Sequence, residues 1–163
     1  MTKDTLSAVQ QITFEQILPI WQHKLWPNRV SLIETHSAMT WPSSHPNQPY
    51  DMNVFNYPVY FFGIYDQDKL IAVNSGHLTT ITEFRSRGLW VDPSFRNKGL
   101  ASELLAATVD QAILTKATMV WSVPRVSAAH VYEKVGFTTI GSIITDGVEF
   151  GPNIYCYKAI NIR

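Results

Sequence analysis

A single mixed α/β domain is what this sequence predicts, on three observations. The chain has 163 residues, of which 45% are apolar, enough to bury roughly 70% of its unfolded surface in one core. After residue 58, runs rich in β-branched and aromatic residues recur between turn signals, the pattern of strands. Between those runs lie two segments whose apolar residues repeat at helical spacing. The order is strand, strand, strand, helix, strand, helix, strand, strand. It implies parallel pairing through right-handed crossovers at the centre and antiparallel hairpins at the flanks.

The elements follow in chain order. Residues 5–11 read as a short edge strand. Phe14, Ile17, Leu18, Trp21 and Leu25 recur at helical spacing, and Thr13 with Gln16 has the capping-box pattern. Pro19 removes an interior ladder bond, so the regular helix is expected only from about Ile17, and Pro27 ends it. Residues 37–58 show no period and hold Pro42, Pro46, Pro49 and Pro58 among Trp41, Tyr50, Phe55 and Tyr57. A long irregular segment of this kind either packs down as a cover or shapes a binding site.

Residues 59–65 and 70–78 flank the turn Asp66-Gln67-Asp68-Lys69 as a hairpin. Residues 88–91 form a short third strand that Asp92-Pro93 ends. Leu100, Leu104, Leu105, Thr108 and Ala112 share one face of a helix of about fourteen residues. Residues 118–123 give a fourth strand stopped by Pro124, and 127–135 a short helix with Gly136 placed for its C-cap. Residues 137–144 and 153–160 are the last two strands.

Composition excludes several classes. Thirteen Lys plus Arg balance thirteen Asp plus Glu, which argues against disorder and against a nucleic-acid partner held by bulk positive charge. No run of eighteen apolar residues occurs, so no membrane span is expected. The first twenty residues carry Asp4 and Glu15 and no basic region followed by an apolar stretch, so no targeting segment is expected. The single cysteine, Cys156, cannot form an internal disulfide, which fits a cytoplasmic protein. It reads as a small buried hydrophobe. The five histidines have no metal-ligand spacing, and no metal site is expected.

The most informative stretch runs from Arg87 to Ser102, where a strand enters a turn that opens a helix near Gly99 and Ala101. Small residues at a helix N-terminus expose its free N–H groups, which favour anions, and Arg96 and Lys98 add charge beside them. A pyrophosphate suits that arrangement. The loop lacks both the P-loop and the Gly-x-Gly-x-x-Gly spacing.

Arg96-Asn97-Lys98-Gly99-Leu100-Ala101 resembles the pyrophosphate loop of the GCN5-related N-acetyltransferases (GNAT), Arg/Gln-x-x-Gly-x-Gly/Ala. A second segment, Ala128-Ala129-His130-Val131-Tyr132-Glu133-Lys134-Val135-Gly136-Phe137, is similar to that family's Ala-x-x-x-Tyr-Glu-Lys-x-Gly-Phe. Order and spacing agree from about residue 59 to 160 of the one domain, residues 1–163, while 37–58 is the expected acceptor-side loop. The resemblance implies a central twisted sheet with two splayed parallel strands, helices on both faces, and acetyl-CoA bound in the splay without a metal. It places the backbone of Leu89, Trp90 and Val91 along the pantetheine arm. The N–H groups of Asn97, Lys98, Gly99, Leu100, Ala101 and Ser102 would hold the pyrophosphate, with the Arg96 side chain near it. Arg125 stands where many members have Asn, and so faces the cofactor or the acceptor. Tyr132 matches the tyrosine beside the thioester sulfur.

The implied activity is transfer of an acetyl group to a primary amine of a small molecule or a peptide by direct attack; a non-catalytic acyl-CoA-binding domain of the same fold is the alternative. Backbone donors at the splay can stabilise charge on the carbonyl oxygen, and Tyr132 can act as general acid or simply be a core aromatic. Glu83 is the leading candidate for the base, ahead of Glu34, His36, His77 and Glu149. His130 points away from Tyr132, and Asp92 shapes the turn. Asp51, Asp146 and Glu149 would attract a cationic acceptor. The terminal strands and aromatics are compatible with a homodimer interface.

Overall fold

The computed structural model describes residues 5–160. Its strands are β1 (Gln10–Ile12), β2 (Val59–Asp66), β3 (Lys69–Leu78), β4 (Glu83–Val91), β5 (Met119–Ser122), β6 (Thr138–Ile144) and β7 (Asn153–Ala159). They form one sheet in the order β1-β2-β3-β4-β5-β7-β6. All neighbours are antiparallel except β4 and β5, whose crossover is helix α2 (Leu100–Leu114). Helix α1 (Phe14–Ile20) precedes the sheet, and α3 (Ala129–Lys134) lies between β5 and β6.

Helices cover both faces. On one, Leu100, Leu104 and Leu105 of α2 pack with Phe62, Ile64, Ile71, Phe84 and Val120. On the other, Ile17 and Trp21 pack with Phe61, Val73 and Trp90. The five α2 positions expected to face the core are its buried residues.

Helix α1 starts at Phe14 rather than Ile17. The capping box fixes that start: the Gln16 N–H donates to Thr13 Oγ1 at 3.2 Å, and the Thr13 N–H to Gln16 Oε1 at 2.8 Å. Pro19 falls in the last turn, and the chain then widens into a π-helical turn, Trp21–Leu25, closed by Trp26 N–H on the Trp21 carbonyl at 2.8 Å. The wider turn absorbs the proline that would have broken a longer helix. The early edge strand is shorter than expected, covering Gln10–Ile12, with an isolated bridge from Leu6 to Asp66.

Strand β4 is longer than residues 88–91 suggested; it begins at Glu83. Its first half alternates Arg85 and Arg87 toward the tryptophans with Phe84 and Ser86 toward α2. A bulge then interrupts it. Val73 faces Trp90 and Ser75 faces Arg87, so two residues of β3 span three of β4. Gly88 sits there at φ +81, where an added Cβ would come within 2.4 Å of the Trp21 ring. The Trp21 indole N–H donates to the Gly88 carbonyl at 2.9 Å. The extra residue reverses the alternation, turning Leu89 and Val91 toward α2 and Trp90 toward Trp21.

Candidate functional site

Strands β4 and β5 pair only through Glu83–Met119, Phe84–Val120 and Arg85–Trp121. The Ser122 hydroxyl donates to the Ser86 carbonyl at 2.8 Å, and beyond it the strands part. A cleft of about 970 Å³ opens there, reaching from the N-terminus of α2, past α3, to the loops carrying Arg29, Tyr50 and Phe150.

One half of the cleft is the turn after β4. Asp92 accepts the Ser94 N–H at 2.9 Å and shapes a short turn that buries Phe95. Asn97 and Gly99 both adopt left-handed backbone, φ 63 and 80. Gly99 is the N-cap of α2 and makes no side-chain cap bond, and Gly99, Leu100, Ala101 and Ser102 all border the cleft, so the helix N-terminus opens on it. Left-handed residues in such a turn gather N–H groups into an anion-binding concavity. Leu89, Trp90, Val91, Arg96, Asn97, Gly99, Leu100, Ala101 and Ser102 line this half; Lys98 is not part of the wall. The Arg96 Nε donates to the Val91 carbonyl at 3.0 Å.

Tyr132 stands at the splay. Its motif is a helix terminus: the Gly136 N–H donates to the Glu133 carbonyl and the Phe137 N–H to the Tyr132 carbonyl, both at 3.1 Å. That pairing is a Schellman cap, and Gly136 supplies the left-handed residue, φ +96. The Phe137 ring meets the Tyr132 ring edge-on at 5.1 Å. The Tyr132 hydroxyl lies 3.0 Å from Ser86 Oγ and 3.3 Å from Ser122 Oγ. Asn74 supports Ser86 with an Nδ2–H bond of 2.9 Å and gives its other to Thr108 Oγ1. Burial pushes the phenol up to about 12.

The other half carries positive charge. Lys24, Arg29, Arg85 and Arg87 line it, and Arg125 lies at its edge. Counting Arg96 after β4 and Lys134 of α3, seven of the chain's thirteen Lys and Arg face the cleft. Glu149 is the one carboxylate on that wall among the described residues. It accepts from the Val30 and Ser31 N–H groups and from Ser31 Oγ, bonds that lower its pKa. Met39 and Tyr50 of the irregular segment join the wall, while Trp41 packs against Trp121, Tyr155 and Tyr157. That segment is thus both cover and wall.

Several expected residues lie elsewhere. Glu83 is at the paired end of β4, away from the cleft, and its carboxylate accepts from the Ser44 and Thr80 hydroxyls. Glu34 offers Arg87 a backbone carbonyl at 2.9 Å. His36 donates through Nε2 to the Tyr57 carbonyl at 2.6 Å, and its Nδ1 takes the Thr35 hydroxyl. His77 is fully buried, donates through Nδ1 to the Leu78 carbonyl and accepts the Ser37 N–H at Nε2. Burial holds it well below the usual imidazole range. Asp51 caps a short helical turn through the Asn53 N–H. Arg125 reaches the Leu25 carbonyl at 2.6 Å and lies over Phe150, at the edge of the cationic half of the cleft. Among the described residues no group of His, Cys, Asp and Glu could hold a metal, and no helix is long and apolar enough to cross a membrane.

Arg85, Arg87, Ser86, Ser122 and Gly88 were not expected in the site. The alternation Arg85-Ser86-Arg87 before an apolar strand was the available signal.

The sequence matches the family described as acetyltransferase (GNAT) domain over residues 58–139, just over half of the chain. This protein belongs to the GNAT family. Solved structures share the GNAT fold along nearly its whole length. Aminoglycoside 6'-N-acetyltransferase complexed with coenzyme A superposes with a TM-score of 0.65 at 13% identity, covering 96% of this chain and 99% of that one. For the ribosomal-protein-S18-alanine N-acetyltransferase from Escherichia coli the values are 0.62, 17%, 97% and 96%. For Ard1 from Thermoplasma volcanium they are 0.65, 17%, 96% and 99%. At such identities the likeness is one of fold. No curated protein sequence matches this GNAT chain significantly.

Proposed function

We propose that this chain is an N-acetyltransferase that uses acetyl-CoA and modifies a primary amine by direct attack in a ternary complex. The observation that carries the reading is the single cleft joining the open N-terminus of α2 to the Tyr132 hydroxyl at the β4–β5 splay. The donor set fits the cofactor: left-handed Asn97 and Gly99 turn backbone N–H groups toward a pyrophosphate, and Leu89 to Val91 form a strand edge for the pantetheine. When bound, acetyl-CoA would supply the activated thioester, and CoA thiol would be the leaving group.

The chain's own residues do the rest. Ser122 gives its proton to the Ser86 carbonyl at 2.8 Å and, in a longer shared contact of 3.3 Å, to the Tyr132 oxygen. Ser86 in turn can donate to the phenol oxygen. Tyr132 therefore holds a proton aimed into the splay, ready for the departing sulfur. No base is assigned to Glu83, whose carboxylate is engaged outside the cleft. The cationic wall disfavours an ammonium ion, and the amine sheds its proton to solvent at the open mouth. The free, buried Cys156 suits a cytoplasmic setting.

Calorimetric titration with acetyl-CoA and CoA, with ATP and NAD as controls, tests the reading. Binding confined to the CoA compounds is expected. Its absence in folded protein defeats the reading, and binding without turnover across an amine panel reduces the chain to an acyl-CoA-binding domain. Gly99→Glu, which adds bulk and negative charge beside the phosphates, is expected to weaken CoA binding sharply.

A further inference from the structure

The acceptor-side wall holds a cation that the fold leaves unsatisfied. Arg85 is 9% exposed and forms part of the cleft wall, with its guanidinium carbon 5.0 Å from the centroid of the Trp121 ring. Among the described residues its Nε and Nη1 find no hydrogen-bond acceptor. Two positions along, Arg87 is 5% exposed, gives Nη1 to the Glu34 carbonyl, and lies over Trp21 and Trp26 at 5.0 and 5.3 Å. Burial brings these guanidinium groups down to about 10 and about 9, and phenols rather than carboxylates are the groups that favour the charged form of Arg85. A buried charge without an acceptor is costly unless something completes it.

The cofactor is not that partner. Arg85 precedes Val91 by six positions on β4, about 20 Å of strand, while the phosphate turn lies beyond Val91. Arg85 instead stands on the acceptor half with Lys24 and Arg29. Glu149, the carboxylate of that wall, is committed to Val30 and Ser31.

We propose that the acceptor amine carries a carboxylate, and that Arg85, with Arg87 beside it, is the site that receives it. A planar guanidinium matches a carboxylate in two parallel hydrogen bonds. Trp26 and Tyr50 wall the same half, which suits a small amino acid or a similar amino-carboxylate. The word acceptor rests on the N-acetyltransferase reading; the anion site does not.

The test uses the full chain saturated with CoA, with thermal unfolding and calorimetry as readouts. The probes are phenylacetate, its neutral amide phenylacetamide, and inorganic phosphate at matched ionic strength. Phenylacetate is expected to give a saturable rise in Tm that the amide and phosphate do not give. In Arg85→Met its affinity should fall about tenfold or more, CoA affinity should hold, and the unliganded variant should melt at or above wild type because an unpaired buried charge is gone. Should Arg85→Met fail to fold, Arg85→Lys keeps the charge, loses the planar fork, and should also weaken phenylacetate. Equal shifts from acid and amide, a preference for phosphate, or undiminished binding in the variant that folds overturns the proposal. CoA binding is read in the same titrations, so loss of the cofactor reading and loss of the carboxylate site are separate results.

Discussion

The Tyr132 hydroxyl keeps its proton well past neutral pH because burial pushes the phenol up to about 12. A neutral phenol held by two serines is suited to give a proton and unsuited to take one. Tyr132→Phe is therefore expected to lower kcat about 100-fold while leaving CoA affinity unchanged, as steady-state rates and calorimetry would show. Equal rates would remove Tyr132 from the chemistry. Glu83 makes the contrasting case. Its carboxylate is satisfied by Ser44 and Thr80, so Glu83→Gln should keep the wild-type pH–rate profile; a lost limb in that profile would return the base to Glu83.

At the scale of elements, two glycines set the site. Gly88 lets β4 bulge against Trp21, and the bulge places the arginines on one face and Leu89 and Val91 on the other. Gly88→Ala meets both a left-handed backbone and the indole ring. A loss of about 1–3 kcal/mol is expected, seen in denaturant unfolding, with weaker CoA binding as the splay shifts. Gly136 closes the cap that ends on the Tyr132 carbonyl, so the Tyr-Glu-Lys-x-Gly-Phe segment is a helix terminus built to fix one phenol. There the added Cβ meets only the flexible Lys158 side chain, and Gly136→Ala should cost about 1 kcal/mol through backbone strain alone.

Across the whole molecule, a chain with balanced charge gathers seven of its thirteen Lys and Arg in one cleft. Such focusing raises the local concentration of anionic ligands, and their binding should weaken as salt rises. The buried Cys156 thiol sits on β7 directly paired with Ser122, and burial pushes it up to about 12 from 9.0. The folded state thus holds a proton that the unfolded chain releases between pH 9 and 12, and stability falls across that window. The thiol contributes up to about 1.4 kcal/mol per pH unit. Arg85 and Arg87, lowered by burial, act in the opposite sense there, so Cys156→Ala isolates the thiol: its stability curve should fall less steeply above pH 9 in equilibrium unfolding.

The sequence by itself determined what short-range pattern governs. The capping box at Thr13 and Gln16, the buried face of α2 and the hairpin of β2 and β3 all follow from spacing of two to four residues, the period at which one element repeats its faces. Only the tertiary structure decided what distant segments do to each other. The first half of β4 does not read as a strand because its arginines are buried by Trp21, Trp26 and Trp121 rather than by neighbours in sequence. Arg125 meets the Leu25 carbonyl 100 residues away, and Glu149 meets Ser31 across 118. Glu83, near the site in the chain, is turned out of it by the strand's direction. Local periodicity fixes which face a side chain occupies; which charges meet inside the cleft depends on how the sheet brings remote faces together.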